Sequence, residues 1–141
     1  MTFKELDAAV GCKGFDKECI DICRALNSLK GVHTYESCSG HLKERFAIYL
    51  HCTDFTSLAK LAFVFDLRYC GTKNPFTMRI SAIDYPKVHT PPFSIDILSE
   101  RPYRSFREMK EDMDTLIANI NFRKEKRMED FFKDGRKPIK D

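Results

Sequence analysis

At 141 residues the chain has the length of one ordinary domain, and its 43% apolar and 32% charged residues fit a globular protein with its own core rather than a disordered one. The net charge of +3 argues for no nucleic-acid partner without local clustering. No apolar run approaches the roughly 18 uncharged residues of a membrane span, and Met1 to Glu5 lack a signal-peptide core, so a cytoplasmic protein with no membrane partner is expected. The six cysteines (Cys12, Cys19, Cys23, Cys38, Cys52, Cys70) are then expected as reduced thiols, most of them buried, in a Phe-rich core.

Phe3, Leu6 and Val10 have helical rhythm, which predicts a short first helix ending near Gly11. The first main helix is expected to start at Asp16 as N-cap, to carry Cys19, Cys23, Leu26 and Leu29 on one face, and to end at Gly31. Val32 to Ser37 and Phe46 to Cys52 read as two strands, the second with Phe46, Ile48, Leu50 and Cys52 on one face. A helix capped by Thr53 or Asp54 follows, with Leu58, Leu61, Ala62 and Phe65 as its apolar stripe, widened by Phe63 and Val64.

After the break at Gly71 to Pro75, Phe76, Met78, Ile80 and Ala82 alternate as a third strand. Pro86, Pro91 and Pro92 confine the next link to a loop. Phe93, Ile95 and Ile97 mark a fourth strand. From about Arg104 a long helix is expected through Phe106, Met109, Met113, Leu116, Ile117 and Ile120, which Met128, Phe131 and Phe132 extend or restart. The fold class is thus α+β. A single domain over residues 1–135 has a roughly four-stranded sheet with helices packed on it, in the order α-β-β-α-β-β-α, and a basic tail fills 136–141. A last helix longer than its sheet leaves apolar surface uncovered, which predicts a homo-oligomer.

Between the first two strands lies Glu36-Ser37-Cys38-Ser39-Gly40-His41, flanked by Lys43 and Arg45. Small polar residues around a glycine let successive amides converge on an anion, so Ser37, Cys38, Ser39, Gly40, His41 and Arg45 are candidate ligand-binding residues. The competing reading is an ordinary polar hairpin loop. Arg101, Arg104 and Arg107, interleaved with Pro102, Tyr103 and Phe106 at a strand-to-helix junction, are expected to complete the pocket with forked donors and helix-start amides. The second basic cluster, Arg123 to Arg127, reads as a solvated helix face with Glu125 as an internal partner.

Cys38-x-x-His41 has usable ligand spacing, but a structural zinc site normally needs a second close pair, so no metal site is assigned. Cys38 as a nucleophile would need a cation beside it, which His41 or Lys43 can supply, and an orienting carboxylate, which the sequence does not identify beyond Glu36; no catalytic residue is assigned. GxGxxG, Walker-type, HExxH and GxSxG motifs are absent, and no cofactor is expected.

The stretch Leu26-Asn27-Ser28-Leu29-Lys30-Gly31-Val32-His33-Thr34-Tyr35-Glu36-Ser37-Cys38-Ser39-Gly40-His41, with Phe46-Ala47-Ile48-Tyr49 after it, resembles a family of small, poorly characterised bacterial and phage proteins. In those a helix leads into a strand, a Glu-Ser-Cys-x-Gly-His turn and an aromatic strand. Ile117-Ala118-Asn119-Ile120-Asn121-Phe122 resembles their last helix. More distantly, Ser37-Cys38-Ser39-Gly40 is similar to the Ser-Cys-Ser-Gly-Arg turn of the wybutosine-synthesising methyltransferase family that modifies transfer RNA; His41 stands where that family has arginine, and its other motifs have no match.

The expectation is a protein that binds a small anionic nucleotide or nucleotide-derived signal at the turn. The phage resemblance implies counter-defence by sequestering a host signal in the host cytoplasm. The enzyme alternative modifies a nucleotide or RNA, methyltransferase-like or nucleotide-cleaving, through the same turn. A third possibility, an inhibitor that binds protein, would rest on the exposed face of the last helix.

Overall fold

A computed structural model describes residues 16–65, 74–80 and 92–126. The expected first helix to Gly11, the residues around Gly71, the end of the third strand at Ala82, Pro86 and Pro91, the extension through Met128 to Phe132 and the basic tail lie outside these residues.

The first described helix begins as a 3-10 turn, Lys17–Cys19, that runs into α1, Ile20–Asn27. Asp16 stands at its N-cap position, but its side chain makes no capping bond. Cys19, Cys23 and Leu26 are fully buried, as their spacing predicts. Asn27 fastens the end of α1 to the first strand, because its Oδ1 accepts from the Thr34 amide at 2.8 Å and its Nδ2 donates to Thr34 Oγ1 at 2.8 Å. Gly31 then reverses the chain at φ +82, and an added Cβ would meet Ser57 Cβ and Thr53 Oγ1 at 2.7 Å. Only glycine combines that backbone with that approach.

Strands β1 (Val32–Cys38), β2 (Ala47–Cys52), β3 (Phe76–Ile80) and β4 (Phe93–Ser99) form one antiparallel sheet in the order β1-β2-β4-β3. A bulge between Thr34 and Glu36 shifts the β1 register, so both Val32 and Ser37 face the core. Helices α2 (Phe55–Phe65) and α3 (Phe106–Arg123) join α1 on one face of the sheet, over Phe46, Ile48, Leu50, Cys52, Ile95 and Ile97. The α+β class and the element order match the sequence expectation.

Three sequence expectations change. In α2 Ala62 is exposed, and the buried side is Ser57, Leu61, Phe63, Val64 and Phe65. In α3 Phe106 is 49% exposed and the buried stripe starts at Met109. Arg123 is not on a solvated face. It is 1% exposed, donates from Nη1 to the Phe63 carbonyl at 3.1 Å and lies over the Phe63 ring at 5.3 Å. A long stem and a planar head allow arginine to fill a core edge when a carbonyl and a ring receive the guanidinium. Among the described residues no helix is long and apolar enough to cross a membrane.

Candidate functional site

The turn between β1 and β2 is a 3-10 segment, Gly40–Leu42, with three successive residues in the left-handed region: Gly40 at φ +79, His41 at φ +52 and Leu42 at φ +64. For His41 and Leu42 that backbone costs about 1–2 kcal/mol each. Glycine is favoured at position 40, where φ is +79 and a Cβ would crowd the backbone carbonyl of Arg45 at 3.0 Å. The Gly40 carbonyl accepts from the amides of Lys43 and Glu44, both at 2.9 Å.

The amides expected to converge on a ligand are used inside the chain. Ser39 donates its N–H to Asp16 Oδ2 at 2.6 Å, Gly40 to Cys38 Sγ at 3.3 Å, and His41 to Ser39 Oγ at 3.3 Å. The anion that this turn meets is therefore the chain's own Asp16 carboxylate. Asp16 is held in turn by its amide, which donates to Ser37 Oγ at 3.3 Å, and its Oδ2 lies 3.4 Å from His41 Nε2. Ser37 and Ser39 are buried, Cys38 is half-buried, and the His41 side chain is 65% exposed.

The arginines are placed less favourably for an anion. Arg45 donates from Nε to the Ser99 carbonyl at 2.6 Å, tying the turn to the end of β4. Arg101 lines a cleft of about 460 Å³ shared with Glu100, Glu108 and Asp112, a predominantly acidic wall. Arg107 is exposed and pairs with Glu111 one helical turn on at 3.4 Å. The α3 start that was expected to point free donors at the ligand is capped: Ser105 Oγ accepts from the Glu108 amide at 3.1 Å, and Glu108 Oε2 accepts from the Arg104 amide at 3.4 Å. In the same cleft Tyr103 donates to Asp112 at 2.8 Å; burial first, and then that carboxylate, raise its phenol above the ordinary range.

A larger cavity, about 640 Å³, opens at the opposite end of the sheet. Its walls come from the α1–β1 junction (Ser28, Lys30, Gly31), the β2–α2 junction and first turns of α2 (Thr53, Asp54, Thr56, Ser57, Lys60) and the residues just past α3 (Lys124, Glu125). Asp54 caps α2, its Oδ1 accepting from the Ser57 amide at 2.7 Å, and that bond holds its carboxyl below the usual carboxylate range. Lys60 donates from Nζ to the Arg123 and Lys126 carbonyls at 3.3 and 2.6 Å, which closes the end of α3 onto the cavity. Sequence reasoning missed Lys30, Lys60 and Lys124, which lie 30 or more residues apart in turn; the only local sign was Lys30 beside the left-handed Gly31.

The sheet face away from the helices carries a polar row, one residue from each strand: Glu36, Tyr49, Asp96 and Arg79 stand opposite one another. Tyr35 stacks on His51 with ring centroids 4.4 Å apart, and His51 Nδ1 and Ser94 Oγ share a hydrogen bond at 3.0 Å. Burial, and then the charges of Asp96 and Glu36, raise the Tyr49 phenol.

No family model, curated protein or solved structure matches the chain.

Proposed function

We propose that this protein binds a small anionic ligand of nucleotide size in the cavity between Gly31 and the start of α2. The observation that carries this reading is the lining: Lys30, Lys60, Lys124, Ser28, Thr53 and Thr56 border a space of about 640 Å³, with the Lys60 ammonium held at its edge by two carbonyls. Small-molecule sites typically enclose about 300–1,000 Å³. Ammonium groups act as point charges for phosphate and hydroxyls supply further donors. Of the two carboxylates in the wall, Asp54 is engaged as a helix cap and Glu125 stands beside Lys124. Among the described residues no aromatic ring lines the space, and what they offer is ammonium groups and hydroxyls suited to phosphates and sugar.

The resemblance of residues 26–41, which include Lys30 and Gly31 of this wall, to phage proteins makes a signalling nucleotide the first class to test. In an experiment, titration calorimetry would compare inorganic phosphate, nucleoside mono- to triphosphates and cyclic dinucleotides at low and high salt. Lys30→Ala and Lys124→Ala each remove a charge-assisted contact worth about 1.5–3 kcal/mol, so binding should weaken about tenfold or more per substitution. Absence of heat across the panel, or an affinity unchanged from the parent in both variants, refutes the reading.

A homo-oligomer remains a proposal of its own, carried by the exposed rings of Phe106 and of Phe122, the latter 61% exposed. Light scattering on the eluting protein decides it, and a monomer at micromolar concentration sinks it.

A further inference from the structure

We propose that Asp16, Cys38 and His41 form a three-ligand site for a divalent transition-metal ion of the zinc type, with a fourth position open to solvent. One donor atom from each residue lies within 4.8 Å of the other two, and no other such group occurs among the described residues. The 3.4 Å between His41 Nε2 and Asp16 Oδ2 matches the edge of about 3.4 Å of a tetrahedron built on zinc–nitrogen and zinc–oxygen bonds of about 2.1 Å. The geometry also discriminates against the other chemistry these residues share. In a nucleophile–base–carboxylate relay the thiol and the carboxylate sit on opposite edges of the imidazole, roughly 7 Å or more apart across two hydrogen bonds of about 3 Å. Here sulfur and carboxylate approach within 4.8 Å, so the three donors surround a point instead of forming a line.

The donor set selects the ion. A thiolate and an imidazole favour zinc and its neighbours over magnesium or calcium, which take oxygen. Two of the three donors are already held by backbone: Ser39 N–H on the Asp16 carboxylate and Gly40 N–H on the Cys38 sulfur. Such outer contacts orient ligands in metal sites. The exposed His41 gives the ion its entry path, and the left-handed backbone at Gly40 and His41 bends the chain so that the imidazole turns back toward the residue three positions before it. Binding would replace the thiol proton of Cys38, which is released to solvent, and would staple residue 16 to the β1–β2 turn.

The test uses the full chain, stripped with a chelator and titrated with Co²⁺ alone. The expected result is one ion per chain, a sulfur-to-cobalt charge-transfer band, and the intense visible bands of four-coordinate cobalt. Cys38→Ser should abolish the charge-transfer band. His41→Gln, at a side chain 65% exposed, and Asp16→Asn should each weaken Co²⁺ at least about tenfold. A saturated protein without a thiolate band overturns the proposal, and so does unchanged affinity in His41→Gln and Asp16→Asn, which would put the ion elsewhere. The lysine cavity lies at the other end of the sheet, so a chain carrying Lys30→Ala and Lys124→Ala should keep the full cobalt spectrum, whatever becomes of the anion.

Discussion

Asp96 is 3% exposed, its Oδ1 has no hydrogen-bond partner among the described residues, and its Oδ2 meets Arg79 Nε at 3.3 Å. Arg79 is 60% exposed, so the pair joins a buried carboxylate to a solvated cation. Two unit charges about 4 Å apart attract by roughly 4 kcal/mol at an effective dielectric of about 20, and solvent around Arg79 reduces the net effect to about 1–2 kcal/mol. Arg79→Ala should therefore destabilise by about 1–2 kcal/mol, lowering Tm by about 3–10 °C, because it leaves a buried charge with neither hydrogen bond nor partner. Asp96→Asn keeps the shape and removes the charge, so its stability should lie within about 0.5 kcal/mol of the parent or above it. In that background Arg79→Ala should cost less than about 0.5 kcal/mol. Urea denaturation of the four proteins at pH 7 completes the cycle. If Arg79→Ala is silent while Asp96→Asn costs more than about 1 kcal/mol, the buried acceptor is engaged by something other than Arg79 and the reasoning fails.

Gly31→Ala should cost about 2–4 kcal/mol in denaturant melts, combining a left-handed backbone with a Cβ 2.7 Å from Ser57 and Thr53; a loss under about 1 kcal/mol would show that the junction relaxes freely. Stability should fall in alkali, with the sign set by burial. The thiols of Cys23 and Cys52 are pushed up to about 12 and about 11 from 9.0, so the folded chain keeps protons that the unfolded chain releases. Their contribution is intact below pH 9 and is lost as pH rises through 11 to 12; Cys19 and Tyr103, also raised, act in the same direction. A flat urea midpoint between about pH 8 and pH 10.5 contradicts this. Iodoacetamide on the native protein should modify Cys38 before Cys19, Cys23 or Cys52, since only Cys38 of these four is not fully buried; peptide mass spectrometry reads the order, and early labelling of a buried thiol refutes it.

The fold was legible because period and punctuation agree locally. Alternation in Phe46 to Cys52 follows the burial of one central strand, and in Phe93 to Ile97 it marks the residues that face the helices although the whole strand is buried; Ser105 with Glu108 marks the start of α3. Failures occurred where tertiary partners override local character. Arg123 looks like surface until the Phe63 ring and carbonyl are placed above it, and Asp16 looks like a helix cap until Ser39 brings it a better donor. Lys30, Lys60 and Lys124 have no shared motif, because a cavity built from three junctions leaves no spacing to read.

The turn shows the limit most clearly. Serine, cysteine, glycine and histidine in close sequence predict converging backbone donors, but the three amides take three separate acceptors and only that of Ser39 meets an anion. That is decided 23 residues upstream, by an Asp16 carboxylate that reaches the Ser39 amide at 2.6 Å. An internal carboxylate outcompetes a dilute external anion because its ordering cost is met once, on folding, instead of at every encounter. The same contact brings an oxygen to a sulfur and an imidazole that the sequence had already placed three residues apart. Replacing Asp16 with asparagine thus separates two roles of one turn: an uncharged Oδ1 can still accept from the Ser39 amide, and the Gly40 and His41 amides keep Cys38 and Ser39 as partners, while the donor set for a cation would be broken.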